Sequence, residues 1–245
     1  MKAKTLVMKA VAAILIGAAP AAAQNAAPRW SVSFDLGPDM AVSGDVHGAG
    51  TGTVLGLPTQ VGARSYGDIY GPGFQWSAAL GYAVGTTGEV RGRFTWSRLT
   101  ADRIQVGTVA GLPLFGLFDD YTELGADFGY RQYFTPADAR VRPFVGAHVG
   151  FVNVEAITAE FTVPDAGVTI SGVDFYESST VATFGFSGGA YFRVTDRFGV
   201  QGGVDLRWRD NLKAIDGLAG TGLEPINDDS SRWSLPVFFG ATIRF

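Results

Sequence analysis

The 245-residue chain contains no cysteine. Disulfides, thiol nucleophiles, thiolate-held metals and a lipid-modified N-terminal cysteine are thereby excluded. It has only two histidines, which leaves little for imidazole-based acid–base chemistry. Basic charge is also short, with a formal net charge of −4, and that balance argues against a nucleic-acid partner. Past the first 23 residues no apolar run reaches the roughly eighteen residues that a membrane-spanning helix needs. A sustained i, i+3, i+4, i+7 apolar pattern is lacking there too, so little helix is expected.

What is present begins with an export address. Lys2, Lys4 and Lys9 supply positive charge, Val11 to Ala18 form a short apolar run, and Pro20 precedes the small residues Ala21-Ala22-Ala23. This order predicts a secretory signal peptide over residues 1–23, removed after Ala23, with residues 24–245 as one mature domain. An N-terminal membrane anchor is the alternative, and the short core counts against it.

The rest of the chain alternates. Trp233, Leu235, Val237, Phe239, Ala241, Ile243 and Phe245 are apolar, while the residues between them are mostly polar or small. A period of two is a strand with two unlike faces. The same design starts at Trp30, Phe74, Val90, Leu124, Val145, Phe184 and Phe198, which makes eight strands. The second face carries Glu89, Arg91, Arg93, Glu123, Asp127, Arg131, Asp205 and Arg207, which cannot form an apolar core. A cylinder with rings outside and charge inside satisfies both faces in a bilayer. Short connections (85–88, 135–140, 195–197) alternate with long ones (38–67, 98–118, 153–179, 210–231). Outer-membrane barrels sort their connections in this way, and the order places both termini in the periplasm. The expected fold is all-β: an eight-stranded, antiparallel, up-and-down transmembrane β-barrel. Residues 158–163 and 167–173 flank the turn Pro164-Asp165-Ala166. They suggest a hairpin above the membrane, with a ten-stranded barrel as the lesser alternative. Pro236 interrupts the last strand's donors, and a bulge is expected there.

Two stretches, Phe128-Gly-Tyr-Arg-Gln-Tyr-Phe and Arg142-Pro-Phe-Val-Gly-Ala-His-Val-Gly-Phe151, are similar to strands of a known family. The chain resembles the small outer-membrane β-barrels: the OmpA transmembrane domain and the opacity-type "porin family" proteins. The resemblance covers residues 24–245 and implies a Gram-negative outer-membrane location. It further implies lipid and lipopolysaccharide as surroundings, and the barrel-assembly machinery and periplasmic chaperones as partners. Phe239, Ile243 and Phe245 resemble the C-terminal signal that this machinery reads. No peptidoglycan-binding domain follows the barrel, so that role is not implied.

No enzymatic constellation, metal site or cofactor site is legible. His47 lies among glycines in the first long connection and is expected to be a loop residue, while His148 alternates onto the lumen face. The acid pairs Asp119-Asp120 and Asp228-Asp229 are expected to be solvated rim charge. A lumen network is expected from Asp35, Arg91, Arg93, Asp127, Arg131, Arg142, Asp205, Arg207 and Arg244. In it Arg93 or Arg131 would bridge to Asp127, and Arg207 to Asp205, as a polar plug with inward glycines making room for the arginines. The leading functional expectation is a non-enzymatic structural or surface-interaction protein acting through four long external loops. A narrow diffusion channel is the second, and a lipid-modifying enzyme a distant third.

Overall fold

The computed structural model describes residues 29–215, 217–227 and 230–245. The leader and Asp216, Asp228 and Asp229 lie outside the described residues. In chain order the strands are β1 (Trp30–Asp39), β2 (Ala41–Ser43), β3 (Asp45–His47), β4 (Gly50–Val54), β5 (Leu57–Val61), β6 (Arg64–Ser65), β7 (Gly73–Val84), β8 (Gly88–Leu99) and β9 (Ile104–Val109). They continue with β10 (Leu112–Phe118), β11 (Tyr121–Tyr133), β12 (Val141–Val154), β13 (Ile157–Val163), β14 (Val168–Tyr176), β15 (Ser179–Arg193), β16 (Phe198–Arg209), β17 (Arg232–Ser234) and β18 (Val237–Arg244).

Among the described residues, eight of these close a barrel in the order β1-β7-β8-β11-β12-β15-β16-β18, and β18 returns to β1. Every neighbouring pair is antiparallel, as between β1 and β18, where Ser31 faces Arg244 and Leu36 faces Phe239. Closure leaves no barrel strand with an open edge, the condition for spanning hydrocarbon. The faces are inverted relative to a soluble barrel. Phe34, Leu80, Phe128, Val149, Phe186 and Ile243 are exposed on the outside, while Ser33, Gln75, Thr95, Gln201 and Thr242 are buried within. Rings collect on the outer face: Trp30 lies 4.8 Å from Tyr82, and Phe184 sits between Trp208 and Trp233 at 5.0 and 5.5 Å.

The final strand is not continuous. Leu235 and Pro236 separate β17 from β18, though both pair with β16. Pro236 gives no donor, but its carbonyl accepts the Asp205 N–H at 2.8 Å, and the Leu235 N–H turns to the Met40 carbonyl at 2.8 Å. The break also lets β17 pair with β2 instead of β1.

The long connections are largely strand. β4, β5, β9, β10, β13 and β14 form a second, six-stranded sheet in the order β14-β13-β10-β9-β5-β4. The hairpin over residues 157–176 thus belongs to this crown, and the barrel does not gain it as two further strands. Short helical pieces interrupt the crown among the described residues: an α-helical turn, Tyr66–Ile69, started by a capping box between Ser65 and Asp68, and the 3-10 turns Pro164–Ala166 and Glu224–Asn227. The crown reverses the barrel's pattern. Val106, Leu114, Phe118, Ile157, Ala159 and Phe175 are buried in an apolar core, which reaches down to Leu99, Tyr121, Val152 and Val181 on the barrel strands.

Candidate functional site: the charged lumen

Alternation delivers charge to the barrel axis from every side. β8 contributes Glu89, Arg91 and Arg93; β11 contributes Glu123, Asp127 and Arg131; β16 contributes Asp205, Arg207 and Arg209. At mid-height Arg93 Nε donates to Asp127 at 3.0 Å, and its Nη1 donates to Asp205 at 3.0 Å. Arg207 donates to the same Asp205 carboxylate at 2.9 Å and lies 4.0 Å from Glu123. Glu123 accepts from Arg209 and lies 3.5 Å from Arg232. Asp39 completes the chain, 3.5 Å from Arg209 and 3.8 Å from Arg232, and accepts from Ser97 at 2.9 Å. Arg232 also lies over the Tyr121 ring, 3.9 Å from its centroid. The result is an unbroken relay of alternating sign from Asp127 to Asp39.

A second cluster lies toward the short connections. Arg91 donates to Ser33 at 2.7 Å and lies 3.9 Å from Asp35 and 3.6 Å from Glu89. Glu89 accepts from Tyr133 at 2.7 Å. Arg131 does not reach Asp127; it donates to Gln201 at 2.8 Å, and Gln201 donates to Asp35 at 2.6 Å. Arg142 is 3.8 Å above the Tyr133 ring and Arg131 is 3.8 Å from the Phe144 centroid. Arg244 joins no ion pair among the described residues; its N–H donates to the Arg197 carbonyl at 2.7 Å. Phe239 and Ile243 are exposed on the outer face, away from this network.

Two expectations about single residues need correction. Asp39 is not a charge of the first long loop; it is completely buried at the lumen end of β1. His47 is not a loop residue in solvent; it is 1% exposed in the crown core, where its ring stacks on Phe118 at 5.8 Å. The pair Asp119-Asp120 lies at the solvated rim as expected and also ties connections together: Asp119 accepts from the Thr158 hydroxyl at 2.7 Å, and Asp120 accepts from Arg98 at 2.9 Å. The inward glycines, expected to make room for arginines, lie against rings instead. A Cβ on Gly185 would lie 2.6 Å from the His148 ring, and one on Gly189 would lie 2.9 Å from Phe144. Glu89 and Glu123 are lumen residues that the alternation put on the charged face but that the expected network left out. Their signal was the alternation that also turns Arg91, Arg93, Asp127 and Arg131 inward on the same two strands.

The space left inside this network is about 30 Å³, close to the volume of a single water molecule. The lumen is therefore packed with side chains, as expected for a barrel of eight strands.

An outside of exposed rings and aliphatics around a buried ionic axis defines a transmembrane barrel. The chain belongs to the outer membrane protein beta-barrel domain family, whose model matches residues 10–223. It is accordingly an outer-membrane protein of a Gram-negative envelope. Among solved structures it is similar to Neisserial surface protein A, at 15% identity and TM-score 0.46 over 88% of this chain and 97% of that one. It is similar to Ail of Yersinia pestis, at 12% identity and TM-score 0.44 over 90% and 100%. OprG from Pseudomonas aeruginosa stands at 10% identity and TM-score 0.47 over 89% and 98%. No curated protein matches the chain.

Proposed function

We propose that the protein is a non-enzymatic surface protein whose barrel is a closed pedestal and whose crown meets the cell's surroundings. The orientation follows: the long-connection end faces outward, the leader 1–23 is removed, and both termini face the periplasm. The observation that carries this reading is the relay Asp127–Arg93–Asp205–Arg207–Glu123–Arg209–Asp39 across the barrel axis. It occupies the space through which a solute would pass, and each member is held by a partner of opposite sign. Against an enzyme stands the setting of His47, whose hydrogen bond is to the Gly48 carbonyl and whose other neighbours include the Phe118 and Phe175 rings. Among the described residues no nucleophile or orienting acid is hydrogen-bonded to His47, as acyl transfer would need. Phe239, Ile243 and Phe245 serve assembly, and lipopolysaccharide surrounds the outer rim.

Epitope insertion tests the orientation. A tag at Asp165, in the turn between β13 and β14, should bind antibody on intact cells, and one at Ala137 only after the outer membrane is opened. Labelling of Ala137 on intact cells would reverse the assignment.

A further inference from the structure

The crown encloses a cavity of about 220 Å³. Its wall includes Val61, Leu114, Phe161, Val168, Phe175 and Leu223, and no charged side chain lines it among the described residues. Protein interiors seldom hold voids much larger than a water molecule. An apolar cavity of roughly 150 Å³ stays dry and takes up benzene, so this one has room for a larger hydrocarbon.

Leu55 and Ala110, at the tips of the hairpin turns Leu55-Gly56 and Ala110-Gly111, line the cavity and are themselves exposed, which marks its mouth. All four residues have positive φ: 52° and 76° in the first turn, 48° and 86° in the second. Asparagine, aspartate or glycine suits the leading position of such turns. Leucine there is strained, and Leu55 is also 75% exposed. Strain and exposure together place apolar surface at the rim, where neither the turn nor solubility calls for it.

The polar residues of the lining single out one atom. Thr59 donates to the Leu57 carbonyl at 3.1 Å and Thr221 to the Leu218 carbonyl at 2.6 Å. His47 Nδ1 lies 3.1 Å from the Gly48 carbonyl, a contact that requires the proton on Nδ1. Burial holds the ring below its ordinary pKa, hence neutral, which leaves Nε2 as an acceptor. Nε2 is buried and has no hydrogen-bond partner. A buried polar atom without a partner is costly, and a ligand that supplies one recovers that cost. Below the cavity the ionic relay blocks the axis, so a ligand enters and leaves by the outer mouth.

We propose that the crown cavity binds an uncharged small molecule, mostly hydrocarbon, with one hydrogen-bond donor such as a hydroxyl that His47 Nε2 accepts. The site gives the crown a ligand class, and so rests on the reading of the crown as the interacting part. The test uses the full barrel in lipid nanodiscs, with methyl NMR during titration of 1-naphthol, naphthalene and 1-naphthalenesulfonate. Shifts at Leu55, Leu114 and Val168 should saturate with the first two and not with the sulfonate. Naphthol should bind about fivefold more tightly than naphthalene, the worth of one modest hydrogen bond. His47→Phe keeps the stacking and should erase that preference while naphthalene still binds. Leu55→Asn relieves the turn, so it should fold at least as well and yet bind both probes more weakly. Three results would overturn the site. One is a linear response shared with the lipid-facing Leu80 and Val145, which is partition into lipid. Another is equal binding of the sulfonate. The third is binding of the nanodisc particles to added phosphatidylcholine vesicles without saturation by the free probes, which would make the rim a membrane contact. Failure here leaves the closed lumen standing, whereas steady conductance would remove the pedestal and leave the cavity standing.

Discussion

At the residue scale, one carboxylate holds several cations. Glu123 is 1% exposed and meets Arg207, Arg209 and Arg232. Removing one partner from a buried ion pair is far costlier than never having made it, because the remaining charge stays desolvated. Glu123→Gln should therefore lower barrel stability by about 3–5 kcal/mol, measured as a drop in the urea midpoint of the heat-modifiable band. An unchanged midpoint would show that water reaches these arginines. His47 makes a second prediction. Its pKa is lowered, chiefly by burial, with the Gly48 hydrogen bond opposing and Arg64 adding to the shift while Asp45 resists it. The folded crown therefore binds fewer protons than the unfolded chain once pH falls below about 6.5. Stability contributed by the neutral ring is complete above that value and is lost as pH falls through it toward the folded-state pKa. Amide-exchange protection in β3 and β10 should decline as pH falls below about 6.5, and the decline should vanish in His47→Phe. Much of this site was legible, since alternation alone put Arg93, Asp127, Asp205 and Arg207 on one face. Asp39 was not, because its strand's polar face runs on without a break into a connection rich in glycine and acid. Burial of a terminal strand residue depends on what crosses above it, here Arg209 and Arg232 from distant segments.

At the element scale, the barrel strands carry a signal that the crown strands carry in weaker form. A strand between lipid and lumen must alternate strongly for ten residues or more, because both wrong faces are expensive. β12 does so over Val141–Val154. The crown's strands are shorter, down to five residues in β4 and β5, and one face meets water, so polar and small residues are tolerated. Their turns, Leu55-Gly56 and Ala110-Gly111, open on residues that do not mark a hairpin tip, so these strands were not legible as hairpins. The inversion of faces sets a boundary that can be measured. Val149 is 64% exposed on the barrel's outer face, and Val149→Arg should cost about 2–4 kcal/mol of bilayer folding stability. Thr169→Arg, on an exposed position of β14 in the crown, should change it by less than about 0.5 kcal/mol. Equal penalties would mean that the bilayer reaches the crown.

At the scale of the whole molecule, the barrel and crown are complementary halves of one cylinder. Below, charge fills the axis and hydrocarbon faces out; above, hydrocarbon fills the axis. The junction is where Asp39, Glu123 and Arg232 meet Tyr121 and Leu99, so the ionic relay ends directly beneath the apolar core. On the proposed reading such a column would pass neither ions, which would meet the apolar core, nor apolar molecules, which would meet the relay. The most direct measurement is single-channel recording of the purified wild-type barrel in planar bilayers, beside the Asp127→Ala/Asp205→Ala double variant. The wild type should be silent or show rare, small openings, and the double variant, with Arg93 stripped of both carboxylates and Arg207 left only with Glu123 at 4.0 Å, should leak anions. Large, steady wild-type conductance would contradict the closed lumen and make the protein a pore.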